Sequence, residues 1–262
     1  MAGIIIGAIM LVLGALLAIL VPIKIKNKNI EIRFMKTTPI DELKAILDSN
    51  AAAGLEGYRH YVELIGQASP QKTIKAPFSG RDVAYYSADL YQVYEQKETV
   101  TDKTGTKQTV KNNESLMTSD KSSEPVIVKE PSSGSEVIID INQSGIQLDS
   151  LQSFNKFEPL ANIKNYSYFN NYRYSEMGAR TLGFKMVERT IPSGQKVYAL
   201  GEASIDNGKI VMGRPKDSKL PFILSVRDKN DIVRTNRSGA NVALVFGILI
   251  AIGGILMMIF VR

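Results

Sequence analysis

The side chains that could do chemistry are few. His60 is the only imidazole in 262 residues and there is no Cys, which removes thiol nucleophiles, disulfides and the Cys/His sets that hold zinc. Beside Tyr58, Arg59 and Tyr61 at the start of a strand, the lone His60 reads as a surface or half-buried structural residue. Acid–base work by carboxylates alone needs two of them held across a cleft. Glu63, Glu188 and Glu202 are the strand-associated candidates, but no spacing demands that they pair, and all three read as solvent-facing residues of alternating strands. Ser132–Ser135 and Ser79-Gly80 are glycine-containing turns without the Lys-Ser/Thr ending of a phosphate loop. The expectation is a protein that is not an enzyme, with no catalytic, cofactor-binding or metal-binding residue.

One constellation remains. Tyr166, Tyr168, Phe169, Tyr172 and Tyr174 are interleaved with Lys164 and Arg173, a mixture that suits a lipid headgroup layer or a nucleobase stack, although core packing is the commoner use of such aromatics. Candidate contacts to a partner or to lipid are therefore Tyr168, Tyr172 and Arg173, together with Lys103 and Lys107 in a polar segment upstream.

The elements that must position these residues begin with two apolar runs. Ala2–Ile23 contains no charged residue and Ala240–Val261 is broken only by Asn241. At 1.5 Å per residue each is about 30 Å long, enough to cross a bilayer core. The first run lacks a basic leader and is followed by Lys24, Lys26 and Lys28 instead of a small-residue cleavage site, so it reads as a span and not as a signal peptide. The expected organisation is a transmembrane helix over 2–23, a membrane-proximal domain over 24–236 and a second transmembrane helix over 240–261. The formal charge of the chain is +6; removing Arg237 and Arg262 leaves +4 on the central domain, too mild and too dispersed to argue for nucleic acid. Lys24, Lys26, Lys28, Arg33 and Lys36 after the first span, with Arg227, Lys229, Arg234 and Arg237 before the second, favour a cytoplasmic central domain by the positive-inside rule. Gly3, Gly7, Gly14 and Ala18, and then Ala243, Gly247 and Ala251, put small residues at helical spacing. Such stripes let two backbones approach, either within one chain or between copies in a homo-oligomer.

Between the spans a short helix opens at Thr38-Pro39, with Thr38 as its cap, Pro39 at the first helical position and Asp41 and Glu42 at its positive end. Ile40, Leu43, Ile46 and Leu47 give it an apolar face. Strands are expected at 61–65, 83–94, 125–129, 136–141, 196–205 and 209–212. Residues 96–124 read as a polar hairpin around Asp102–Gly105, or as a loop. Asn207-Gly208 favours a type I′ turn, and 161–174 a helix or an irregular crossover. The fold class is mainly β (α+β): a barrel or sandwich-like domain with one or two helices, bracketed by two transmembrane helices.

Three segments occur in an order that resembles the GIDE domain, also described as "beside a membrane". They are Ala76–Tyr86, which contains Pro77, Phe78, Gly80, Tyr85 and Tyr86; Glu188–Glu202, which contains Gly194 and Gly201; and Arg214-Pro215 followed by Pro221–Ser225. The resemblance implies a β-rich module between two membrane helices, as in mitochondrial and chloroplast E3 ubiquitin ligases and their prokaryotic relatives. In the ligases a Cys/His RING after the second span holds zinc. Here the chain stops at Arg262 without a Cys, so the expectation is a RING-less relative without ligase chemistry. In the mitochondrial members this domain faces the intermembrane space, an exoplasmic side, which stands against the charge-based orientation.

The expected role is binding. The chain would be a scaffold that presents the domain at a membrane surface to a protein partner, holding lipids through its two helices and needing no cofactor. An oligomeric transport or envelope-stress component is the alternative. Pro77, Phe78, Gly80, Tyr85, Tyr86, Gly194, Gly201, Arg214 and Pro215 are read as fold determinants.

Overall fold

The computed structural model describes residues 2–55, 57–102, 105–165 and 180–260. The fold is mainly β, with three helices among the described residues: α1 (Ala2–Phe34), α2 (Ile40–Ala52) and α3 (Lys229–Phe260). The strands are β1 (His60–Pro70), β2 (Ile74–Lys75), β3 (Asp82–Asp102), β4 (Gly105–Lys121), β5 (Val126–Lys129), β6 (Glu136–Ile139), β7 (Ile146–Asp149), β8 (Leu151–Pro159), β9 (Arg180–Pro192), β10 (Lys196–Asp206), β11 (Lys209–Gly213) and β12 (Phe222–Ser225). The chain divides into two compact units: Met1–Ile65, Gln143–Leu148 and Val197–Arg262 form the first, Gly66–Asn142 and Asp149–Lys196 the second.

In the first unit α1 and α3 are long and apolar enough to cross a membrane. They pair antiparallel, and glycine makes the pairing possible. A Cβ on Gly14 would lie 2.6 Å from both Ala251 N and Gly247 O; one on Gly7 would lie 2.6 Å from Gly254 O; one on Gly247 would lie 2.6 Å from Ala18 N. No side chain fits at those positions, so the backbones touch. The bulky residues are left on the outside: Ile5, Ile9, Ile19, Phe246, Leu249 and Ile259 are each more than half exposed.

Neither helix stops where its apolar run stops. The pairing continues through Asn29, whose Oδ1 accepts a hydrogen bond from Asn236 Nδ2 at 3.0 Å, and reaches Ile32, which packs with Ile232, Val233, Tyr198, Leu200 and Ile223. This cluster joins the feet of both helices to β10 and β12, neighbours in the order β11-β10-β12-β7. The Asp206–Lys209 turn has Asn207 at φ 48° and Gly208 at φ 74°, the two positive φ values a type I′ turn requires.

The short helix departs from expectation at its start. Pro39 is the N-cap, at φ −58° and ψ 147°, Ile40 is the first helical residue, and no side chain caps the helix. Thr38 lies one residue outside the cap, and its N–H donates to Glu63 O at 2.9 Å. Ile40, Leu43 and Leu47 are buried as the apolar spacing requires.

In the second unit β3 is the central strand of an antiparallel sheet ordered β2-β3-β9-β8, with β4 also on β3. Register shifts at Leu90/Tyr91 against β4, and at Val83/Tyr85 and Val93/Tyr94 against β9, bend this long strand. Leu90, Phe184 and Met186 form one core cluster, with Phe78, Met117, Phe154, Leu160 and Ile163 around it. The β3–β4 hairpin pairs from Ser87↔Lys121 out to Asp102↔Gly105. The aromatic segment begins with a 3-10 turn, Leu160–Asn165, and its Tyr166–Tyr174 part lies outside the described residues.

Candidate functional site

Two of the three carboxylates read as solvent-facing are buried: Glu63 is 1% exposed and Glu188 is completely covered. Alternation fails at Glu63 because its neighbours Val62 and Leu64 are buried too; the strand is covered on both faces, so side-chain direction no longer separates core from water. Only Glu202 keeps partial exposure, where Oε2 accepts Lys216 N at 2.5 Å.

The Glu63 carboxylate collects donors from three parts of the first unit. Oε1 accepts from Thr37 Oγ1 at 2.6 Å; Oε2 accepts from Tyr198 Oη at 3.1 Å and from Lys229 Nζ at 2.8 Å. Lys229, the first residue of α3, also donates to Met35 O just beyond the end of α1, where a cation suits the negative end of the helix. The strand residue thus fastens the exit of α1 and the entry of α3. Burial pushes the Tyr198 phenol up, and the Glu63 charge with its hydrogen bond adds to this. Tyr61 is raised by burial first and then by Glu31 and Glu63; its hydroxyl donates to Pro221 O at 3.0 Å. Both phenols stay protonated and act as donors.

Glu188, on β9 in the second unit, holds a turn. Its Oε2 accepts Phe78 N at 2.8 Å and Ser79 N at 3.2 Å; its Oε1 accepts Ser79 Oγ at 2.6 Å and Ser153 Oγ at 3.0 Å. The Pro77–Gly80 turn is thus folded onto one carboxylate. Gly80 has φ 67° and donates to Ala76 O at 2.9 Å.

The remaining sequence-derived residues are dispersed. Tyr85 is buried. Tyr86 donates to Asp120 Oδ2 at 3.0 Å, and burial together with that bond pushes its phenol up to about 12. Gly194 occupies a turn at φ 81°. A Cβ on Gly201 would meet Met212 and Phe222 side-chain carbons at 2.9 Å. Arg214 donates its backbone N–H to Gln143 Oε1 at 2.6 Å and Nη1 to Ser144 Oγ at 2.9 Å, and Pro215 is buried. His60 is half-buried and stacks with Tyr58, whose hydroxyl is 3.2 Å from its Nδ1. Lys107 stands opposite Val100 on β4; Lys103, Tyr168, Tyr172 and Arg173 lie outside the described residues. Among the described residues no three His, Asp or Glu side chains are grouped to hold a metal ion.

Glu63 and Glu188 are each surrounded by fixed donors from distant parts of their own unit. The sequence signal for Glu63 was a charge set between two apolar neighbours, Val62 and Leu64; Glu188 stands between Val187 and Arg189 and carried no such signal. A comparison with protein families finds that the model described as GIDE, E3 ubiquitin ligase, matches residues 95–259. No curated protein and no solved structure matches. The family match runs from the β3–β4 hairpin to the end of α3, well over half of the chain, and the chain belongs to the GIDE family.

Proposed function

We propose that the chain is an integral membrane protein whose α1–α3 pair crosses the bilayer and holds its GIDE domain at the membrane surface, as a non-catalytic scaffold for a protein partner. The observation that carries this reading is the helix pair itself. Its glycine faces touch each other while its Ile, Leu and Phe side chains face outward, an arrangement stable in hydrocarbon and costly in water. The family description names a ubiquitin ligase, but these 262 residues have no Cys and one His, too few ligands for the zinc sites of a RING.

The lysines and arginines that follow α1's apolar run and precede that of α3 favour a cytoplasmic domain. Alkaline extraction of membranes and protease treatment of intact cells, both on a chain with a protease-cleavable tag inserted at Gly105, test membrane insertion and sidedness. Alkaline extraction should leave the chain in the pellet, and the tag should be protected in intact cells. Release into the supernatant would refute the membrane reading, whereas cleavage in intact cells would refute only the orientation. The scaffold reading also expects that the purified full chain does not accelerate discharge of a ubiquitin-charged conjugating enzyme; acceleration would overturn it.

A further inference from the structure

The first unit carries a cleft of about 730 Å³ beside the end of α1's apolar run. Its walls supply Lys24 and Lys28 from α1 and Arg214 and Lys219 from the segment between β11 and β12. Glu31 and Asp217 are the acidic lining residues, and Ile30, Leu220, Pro221 and Phe222 the apolar ones. The lining therefore holds an excess of positive charge over an apolar floor.

Arg214, Lys24 and Lys219 form no ion pair among the described residues. Arg214 is oriented by a neutral partner, Ser144 Oγ at 2.9 Å, and Lys28 reaches Gln147 Oε1 at 2.5 Å. Asp217 Oδ1 already accepts a hydrogen bond within its own loop, from Lys219 N at 2.9 Å. A guanidinium held by a hydroxyl keeps donors for a phosphate.

Depth selects the source of that phosphate. Lys24 is the first residue after the apolar run, and Lys28 lies about 6 Å further along the helix. If the run fills the hydrocarbon core, both lysines sit in the headgroup layer, which is roughly 5–8 Å thick on each side. Acyl chains would then follow the exposed apolar side of α1.

We propose that this cleft binds the phosphate of an anionic membrane lipid, with Arg214, Lys24 and Lys219 as its cationic contacts. The proposal rests on the membrane reading given above. The test uses the full chain in phosphatidylcholine nanodiscs doped with fluorescent phosphatidic acid, whose enrichment at the protein is compared with that of fluorescent phosphatidylcholine. Insertion into the discs reports the membrane reading by itself. In inserted protein, phosphatidic acid should be enriched, and Lys24→Gln and Arg214→Gln should each lower the enrichment about fivefold. Lys26→Gln, at the same depth but outside the cleft lining, should leave it unchanged, and millimolar inorganic phosphate should not compete. Equal retention of the two lipids, or equal losses in the Lys24 and Lys26 variants, would overturn the proposal. Displacement by inorganic phosphate would assign the cleft to a soluble anion and overturn the lipid assignment.

Discussion

Lys229 Nζ lies 2.8 Å from Glu63 Oε2, joining the first residue of α3 to the middle of β1. The two ends of this ion pair differ: the Glu63 side chain is 1% exposed and that of Lys229 25%. Removing the lysine strands a charge inside the protein, whereas removing the carboxylate leaves a cation that still reaches water and Met35 O.

Lys229→Met should therefore cost about 3 kcal/mol of stability, and Glu63→Gln distinctly less. The paired replacement Glu63→Leu with Lys229→Met should recover most of the loss. Urea unfolding of the full chain in detergent, followed by circular dichroism because the chain has no Trp, would check the order of the three. A larger loss for Glu63→Gln than for Lys229→Met would contradict it.

Tyr61 and Tyr198 give the same region an alkaline limit. Each phenol ionises near 10 in an open chain, but in the folded protein only at a higher pH. A raised folded value contributes stability that is complete below the unfolded value and is lost as pH rises towards the folded one. Thermal midpoints should hold steady to about pH 10 and then fall. Tyr198→Phe should flatten that fall while costing about 1 kcal/mol at neutral pH through its lost hydrogen bond to Glu63.

Glu188 organises a turn from a distance of 109 residues. Glu188→Ala should release Phe78 and Ser79 and cost about 3 kcal/mol, since four donors lose one acceptor. Ser79→Ala should cost about 1 kcal/mol. Hydrogen exchange at the Phe78 and Ser79 amides would separate the two, with fast exchange in the first variant and near-native protection in the second.

The chain has no Cys, so cross-links can be placed at will. Asn29→Cys with Asn236→Cys, at positions whose side chains hydrogen-bond at 3.0 Å, should close a disulfide within one chain. Non-reducing electrophoresis should show a faster monomer. A dominant dimer band would mean that the helices pair between copies.

Much of this was legible in the residues and some was not. The apolar runs and the Asn207-Gly208 turn announce themselves because length and positive φ are local properties. The continuation of α1 to Phe34 was hidden behind Lys24, Lys26 and Lys28, although Asn29 and Ile32 already mark the face that α3 covers. Thr38 had the right type for a cap and the wrong position, because Pro39 takes the N-cap place and leaves Thr38 one residue outside it. Val62 and Leu64 hint locally at the burial of Glu63, but the donors that satisfy Glu63 and Glu188, such as Lys229 and Ser79, are far away in sequence and no local pattern names them. Of the suggested contact residues, only Lys107 falls on a described strand.

The antiparallel helix pair also acts on the unfolded chain. Gly7 meets Gly254, and Asn29 meets Asn236, so the intervening strands form a closed loop even when they are unfolded, provided the helices stay paired. Closing a loop of about 100 residues or more removes disorder worth roughly 4–5 kcal/mol from the unfolded ensemble, as a disulfide would. A chain without a single thiol thus gains a covalent-like staple from its own backbone, and the same strands excised from the helices should be the less stable by a comparable amount.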